Sequence, residues 1–498
     1  MHNRRWTLVV AILGSSMAFL DGTVVNVALP VIQRELRMTL DLAQWIVEAY
    51  ALLLSSLVLV GGALGDRYGR RRVFTAGVVV FALASVACGL APDARLVIAA
   101  RALQGAGAAL LVPGSLSLIS AANRPEDRGA AIGVWSASSA IMGAIGPIAG
   151  GWVVAHGSWR WLFFFNVPIA ALVVILAVFR VDETRNADAA DRTDWLGAAL
   201  ATAGLGFVVF GLIDSARVPG AARLASFLAV GTASLAGFVV VEAKTRSPMV
   251  PLSLFRSRTF AGTNLLTLLL YAALGAGTFF LPFDLIQVQG YTALEAGASL
   301  LPIVVLMAVI SPFAGGFSAR FGARAPLFVG PLVVAAGFAL LALPGAGGSY
   351  FATFFPGIVT LGLGMGITVA PLTAAVMGSV DARHAGVASG INNAVARAAG
   401  LLAVAALGVL LLARFDAALD GALARMSLPP AVAQVVAAER GKVLGADFSS
   451  LDRSTAEALR GAFAAAYVGA FRTLMIASAA MAAASGVGAA ALVEPRGS

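Results

Sequence analysis

The sequence predicts an all-α polytopic membrane protein with fourteen transmembrane helices: two six-helix bundles in parallel repeat, with a further pair of helices inserted between them. Three observations lead there. Of 498 residues, 59% are apolar and only 12% charged, about half the charge density of an ordinary soluble chain. Apolar runs of roughly 18 to 25 residues, each able to cross about 30 Å as a helix, recur fourteen times. A glycine and arginine pattern in the first third of the chain returns in phase in the second half.

The composition also excludes several classes of function. So few charges cannot cover a wholly water-facing surface, so most of the exterior faces the lipid bilayer. The net charge of +9 is scattered over short loops and forms no basic stripe, so no nucleic-acid partner is expected. Cys88 is the single cysteine, and the three histidines, His2, His156 and His384, are dispersed. Neither a disulfide framework nor a metal site is expected from them. No phosphate-binding glycine loop ending in lysine is present, so no nucleotide or other cofactor is implied. Arg4 and Arg5 before an apolar stretch superficially resemble a signal peptide. That stretch is too long, contains Asp21 and ends at Leu29-Pro30, so it is read as an uncleaved first span.

The spans are expected at 6–29, 45–64, 73–91, 96–121, 130–154, 161–179, 195–213 and 224–241, then at 260–283, 294–318, 327–343, 351–376, 386–412 and 467–492. Nineteen arginines and lysines fall in the terminal segments and loops on one side, against six in the short loops on the other. Because cytoplasmic loops retain positive charge, both termini are placed in the cytoplasm. The long segment 413–466 is then an outer loop. It is alanine-rich, broken at Pro429-Pro430 and expected to carry short surface helices, with a capping-box pattern at Ser454-x-x-Glu457.

The repeat divides the chain. Gly62-x-x-x-x-Arg67-x-Gly69-x-Arg71 returns as Gly315-x-x-x-x-Arg320-x-Gly322-x-Arg324, an offset of 253. Gly105, Gly107, Gly129, Gly133 and Gly143 return as Gly362, Gly364, Gly386, Gly390 and Gly400, an offset of 257. Repeats of the same sense imply two bundles about an axis along the membrane normal. The expected units are 1–190, an inserted pair at 191–245, and 246–498.

The most specific motif is Gly62-Ala63-Leu64-Gly65-Asp66-Arg67-Tyr68-Gly69-Arg70-Arg71. Gly62 and Gly69 allow a tight turn and close approach, and Asp66 is suited to receive an arginine or a helix N-terminus from a neighbouring helix. Gly62, Asp66, Arg67, Gly69, Arg70 and Arg71 would form a conformational latch; the bland alternative is a basic anchoring loop. This loop resembles the signature loop of the major facilitator superfamily. In the second copy Ala319 replaces Asp66, so a latch there is weaker or different.

Leu20-Asp21-Gly22-Thr23-Val24-Val25-Asn26-Val27-Ala28-Leu29-Pro30 is similar to the first-helix motif of that family's drug:proton antiporters. Arg101-Ala102-Leu103-Gln104-Gly105-Ala106-Gly107 resembles its fourth-helix motif, implicated in proton transfer. Counted along their helices, Asp21 and Arg101 each lie about 8 Å inside the outer boundary. An arginine does not release a proton at working pH, so Arg101 would modulate Asp21 as a proton-coupling pair; the alternative is a static ion pair. Gly143-Ala144-Ile145-Gly146-Pro147-Ile148-Ala149-Gly150-Gly151 resembles the antiporter motif of the exporters, with Gly143, Gly146, Pro147, Gly150 and Gly151 as its small or bending positions.

Asn26, Glu48, Asp284, Asn392, Asn393 and Arg397 are candidates for substrate contact or coupling. Glu48 and Asp284 depart from the family pattern. Both are expected near the outer face, in a solvated vestibule or at the substrate. Arg397 lies about 18 Å into its helix, where a cation needs a carboxylate or a wet cavity. The resemblance, covering nearly the whole chain, implies a fourteen-helix multidrug-efflux antiporter of the bacterial inner (plasma) membrane that exchanges protons for small apolar or amphipathic compounds. The alternatives are export of an endogenous lipid or metabolite and, remotely, a membrane-embedded lipid-modifying enzyme. Scarce histidine, one cysteine and the repeat argue against the enzyme, and no catalytic residue is assigned. No periplasmic adaptor is assigned.

Overall fold

The computed structural model describes residues 2–185, 194–217, 220–245, 248–380, 385–426 and 428–494. Among the described residues, fourteen long helices carry the architecture. The first six are α1 (His2–Glu35), α2 (Leu40–Tyr68), α3 (Arg70–Leu90), α4 (Ala94–Ala122), α5 (Pro125–His156) and α6 (Trp161–Arg180). The inserted pair is α7 (Trp195–Arg217) and α8 (Ala221–Lys244). The second set is α9 (Arg258–Phe283), α10 (Ala293–Phe321), α11 (Arg324–Leu341), α12 (Phe355–Gly378), α13 (Ala385–Met426) and α14 (Arg453–Leu492). Thirteen are long and apolar enough to cross a membrane; the other, α5, is 32 residues long. In lipid a backbone must satisfy its own polar groups, which leaves the helix as the spanning form for such runs.

Local chemistry sets several helix starts. The Asp93 carboxylate accepts from Leu96 N at 2.9 Å to begin α4. Thr292 and Glu295 form a capping box at α10, and Ser257 caps α9. Gly69 between α2 and α3 and Gly322 between α10 and α11 have φ of 110° and 91°, a region that residues with a Cβ rarely adopt.

The two six-helix sets pack alike. Within the first, α1 lies against α5, α4 and α6, α2 against α4, and α3 against α4 and α6. Within the second, α9 lies against α13, α12 and α14, α10 against α12, and α11 against α12 and α14. The equivalence reaches single residues. A methyl added at Gly105 would stand 2.3 Å from the Tyr50 carbonyl oxygen, and one at Gly362 would meet Ile303 Cα at 2.8 Å. Gly107 faces Gly77 and Phe81, while Gly364 faces Gly330 and Val334. Small residues at these crossings let backbones touch, which is the chief source of helix association where lipid is as apolar as leucine.

The inserted pair is attached through α7, which packs on both α2 and α13. Trp45 meets Phe210 with centroids 6.0 Å apart, and Leu52, Val209, Ile213, Leu401 and Ala405 form one buried cluster. α8 packs on α7 and is otherwise mostly uncovered. At one end of the molecule the bundles are joined by α5 against α10 and α2 against α13. There a methyl on Gly151 would meet Ala293 O at 2.3 Å, and one on Gly297 would meet Pro147 O at 2.1 Å. Gln44 Nε2 donates to Val404 O at 3.3 Å, and Gln33 Nε2 to Lys442 O at 3.1 Å.

Two expectations need correction. The segment 413–466 is mostly helical extension: α13 continues to Met426 and α14 begins at Arg453. The connection proper holds a short helix Pro430–Glu439 and a turn at Arg440–Gly445. The Ser454-x-x-Glu457 box does not form either. Asp452 is the cap, accepting from Thr455 N at 3.0 Å, and Glu457 is taken by Arg453 at 2.8 Å. Hydrogen bonds from Ser454 and Thr455 hold the Asp452 carboxyl down at about 2.

Candidate functional site

Inside the first bundle, Asp21 on α1 and Arg101 on α4 are each 1% exposed and form a direct ion pair. Three further helices complete the setting. Gln104 Nε2 donates to Asp21 Oδ1 at 2.9 Å and to Ser85 Oγ of α3 at 2.9 Å. Asn166 Nδ2, at the start of the long part of α6, lies 3.5 Å from Asp21 Oδ1 and 3.3 Å from Ser85 Oγ. Arg101 Nε donates to Ile46 O of α2 at 3.0 Å, and its Nη1 to Gln104 Oε1 at 2.7 Å. The guanidinium lies 4.2 Å from the Tyr50 ring, whose hydroxyl donates to Ala18 O at 3.1 Å. A buried ion is retained when its partner and neighbouring donors replace water; here both charges are met on every side. Cys88, also buried, places Sγ 3.9 Å from Gln104 Oε1.

The latch residues gather at the turn from α2 to α3. Asp66, near the end of α2, accepts at 2.7 Å from Arg70, the first residue of α3. A second group that bridges helices is Glu183, just beyond α6. It accepts from the backbone N of Arg71 at 3.0 Å and of Arg72 at 3.2 Å, the first amides of α3. Arg71 Nη1 returns a bond to Val181 O at 3.1 Å. The counterpart Arg324 bonds Ala490 O at 2.8 Å near the end of α14, so both copies tie the third helix of a bundle to its sixth. Gly62 lies near Pro113, and Arg67 stacks over Tyr68 at 5.2 Å. Gly69 leaves room for Glu183: a methyl there would stand 2.7 Å from Oε1.

On α5, Gly146 and Gly150 pack on Thr23 and Val24 of α1, while Gly151 and the Pro147 carbonyl face α10. Gly143 has open space around its Cα. Glu48 and Asp284 do not lie in a solvated vestibule; they are 1% and 2% exposed. Glu48 lies on the α2 face between Gln44 and Leu52, and its Oε2 has no hydrogen-bond partner among the described residues. Asp284 opens a π turn, Asp284–Val288, and accepts from Gln289 at 3.0 Å. The buried Asn26 Oδ1 also lacks a partner among those residues. Asn392 of α13 donates to Thr267 Oγ1 of α9 at 2.7 Å and to Asn264 Oδ1 at 3.2 Å. Asn393 is exposed and Arg397 partly so. The structure thus unites Asp21 with Arg101 and leaves the other candidates apart from that pair.

Sequence reasoning missed Tyr50, Ser85, Gln104, Asn166 and Glu183 as members of these networks. Gln104 carried a signal, since it lies three residues from Arg101 and so on the same helix face. Glu183 carried another, as an acid closing the run after a span. Ser85 carried none.

The family model of the Major Facilitator Superfamily matches residues 11–405. The chain belongs to that superfamily. The Streptomyces glaucescens protein described as tetracenomycin C resistance and export protein is 34% identical, over 86% of this chain and 80% of its own length. Multidrug resistance protein Stp of Mycobacterium tuberculosis is 35% identical, over 87% of this chain and 80% of its own. Among solved structures, a bacterial homologue of the human lysosomal transporter Spinster, described as inward-facing and unoccupied, aligns with a TM-score of 0.72 at 16% identity. That alignment covers 99% of this chain and 98% of the other, a likeness of fold. As a member of the Major Facilitator Superfamily, this chain is a multi-pass membrane transporter of small molecules and not an enzyme.

Proposed function

We propose that the protein is a proton-coupled exporter of small apolar or amphipathic compounds, working by alternating access, with Asp21 as the group that takes up and releases the proton. The observation that carries this is the buried network of Asp21, Arg101, Gln104, Ser85 and Asn166, which ties four helices of one bundle to a single titratable carboxyl. Protonation of Asp21 removes the anion that holds Arg101 and leaves a buried cation short of its partner, a change that costs several kcal/mol unless the helices rearrange. That cost is the lever by which a proton biases one arrangement of the bundles over another.

In this reading both termini are cytoplasmic, the membrane is the bacterial inner membrane, and the end sealed by Gly151, Gly297, Gln33 and Gln44 faces outside. The bundles 1–190 and 246–498 rock against each other, with 191–245 riding on α2 and α13. The resistance and export relatives support the direction of transport.

The test is uptake of candidate compounds into inside-out vesicles, with and without a protonophore. Uptake should fall to the passive level when the gradient collapses, and Asp21→Asn should lose uphill transport while keeping downhill flux. A static ion pair would instead give poor insertion of each single mutant and partial rescue of the double mutant. Uphill, gradient-dependent transport by well-expressed Asp21→Asn would move the coupling elsewhere.

A further inference from the structure

The first bundle neutralises its own buried charge, because Asp21 and Arg101 pair directly. The second bundle carries a cation that is not paired in this way. Arg397 on α13 makes no hydrogen bond or ion pair with any described residue. Its depth is bracketed by contacts of its own helix. On one side Asn392 bonds Thr267, and on the other Gly400 approaches Gly275, where a methyl would stand 2.6 Å from Gly400 Cα. Thr267 and Gly275 lie about 14 and 26 Å along α9 at 1.5 Å per residue, so Arg397 stands near the middle of the spanning region.

The direction of the side chain follows from the same helix. Asn392 and Gly400 face α9, and residues 393, 397, 401 and 405 form the neighbouring stripe at four-residue spacing. Leu401 and Ala405 are buried against Leu52 of α2 and Val209 of α7. Asn393 is exposed and Arg397 partly exposed. The stripe is therefore packed against α2 and α7 at 401 and 405, partly uncovered at 397 and uncovered at 393. Leu401, one turn on along the same stripe, packs with Leu52 of α2, so Arg397 stands on the side of α13 that faces the first bundle. A guanidinium facing hydrocarbon at that depth would be strongly unfavourable. Asn393 uses its Nδ2 on Ser389 O at 3.0 Å, which leaves its Oδ1 available as an acceptor one turn from the guanidinium.

We infer that Arg397 is the recognition site for an acidic group on the transported compound, and that the preferred substrates are amphipathic organic anions such as aromatic carboxylates. A planar guanidinium offers two parallel donors to a carboxylate. The surrounding apolar faces of α2 and α13 accept the rest of the molecule, and Asn393 can take a donor beside the acid. Glu48, a buried carboxyl on α2, makes no ion pair with Arg397. The site deepens the export reading by naming a substrate class, but recognition at Arg397 needs no proton gradient.

The experiment is equilibrium binding to the purified full-length chain in lipid nanodiscs, with anthraquinone-2-carboxylate, its neutral carboxamide, and the cation tetraphenylphosphonium as probes. The wild type should bind the carboxylate on the order of tenfold or more tighter than the carboxamide, as one charge-assisted contact supplies. Arg397→Gln should bring that ratio to about one, and Arg397→Lys should keep most of it. A wild type that binds the carboxamide or the cation as tightly as the carboxylate overturns the inference, and so does Arg397→Gln with its preference intact. If Arg397→Gln does not fold, the wild-type ratio and the Arg397→Lys protein decide. Loss of protonophore sensitivity with an Arg397-dependent preference preserved would overturn the coupling alone.

Discussion

A carboxyl in a membrane protein is defined by what replaces its water. Asp21 has Arg101, Gln104 and Asn166 around it, whereas Glu48 is as deeply buried with Oε2 unpartnered among the described residues. The two should respond oppositely to removal. Arg101→Ala leaves Asp21 without its cation and should lower stability by about 3–5 kcal/mol, read as a drop in the thermal midpoint in detergent. Glu48→Leu removes an unpaired polar atom, whose burial costs about 1–3 kcal/mol, and should raise that midpoint. A lower midpoint for Glu48→Leu would mean that the carboxyl has a partner in the folded membrane protein.

At the level of elements, the turn from α2 to α3 combines a backbone requirement with a charge requirement. Gly69 has φ of 110°, and Glu183 fills the space where a side chain would stand. Gly69→Ala is therefore expected to destabilise the turn by about 1–2 kcal/mol from backbone strain, and more if Glu183 is displaced. Glu183→Gln keeps the shape and removes the anion at the α3 N-terminus. It should slow transport while leaving substrate binding near wild type, since the turn lies far from Arg397 and Asp21; a mutant with normal turnover would remove the latch. At the other end, Asp452 caps α14 as a carboxylate with its pKa depressed to about 2. Its contribution is present above the ordinary aspartate value near 4 and is lost as pH falls through about 2. Amide exchange in the first turn of α14 should accordingly rise only in strong acid.

For the whole molecule, the contacts between the bundles gather at one end, where the connection after α13 crosses to α1. Gln33 donates to Lys442 O, and a Cβ on Gly445 would lie 3.4 Å from Gln33 Cδ. Nearby, Val443 is buried at φ 53°, a conformation kept only when its surroundings demand it. Joining Gln33→Cys to Gly445→Cys in a Cys88→Ser background should hold this end shut. Transport should stop on oxidation and return on reduction. Full transport by the cross-linked protein would show that this end does not open in the cycle. Labelling a single cysteine near residue 440 from the outer side alone would fix the orientation, and labelling only from the cytoplasmic side would reverse it.

The sequence by itself determined the fold class, because span length and the bilayer set a one-dimensional problem: runs of apolar residues, counted and phased, suffice for fourteen helices and a repeat. It also brought Asp21 and Arg101 to one depth, since rise per residue is constant along a helix. What it could not supply was direction around each helix axis and the identity of the neighbour met there. Asp66 and Glu183 compete for the same few donors, and only the packed turn shows that Asp66 goes to Arg70 and Glu183 to the α3 amides. Glu48 and Asp284 look alike in the sequence as acids near a span edge, yet whether water reaches them depends on residues hundreds of positions away. Arg397 is the sharpest case. Its depth follows from counting, but that its stripe is sealed at Leu401 and open at Asn393 follows only from where α2 and α7 end their contact with α13, a property of three helices together.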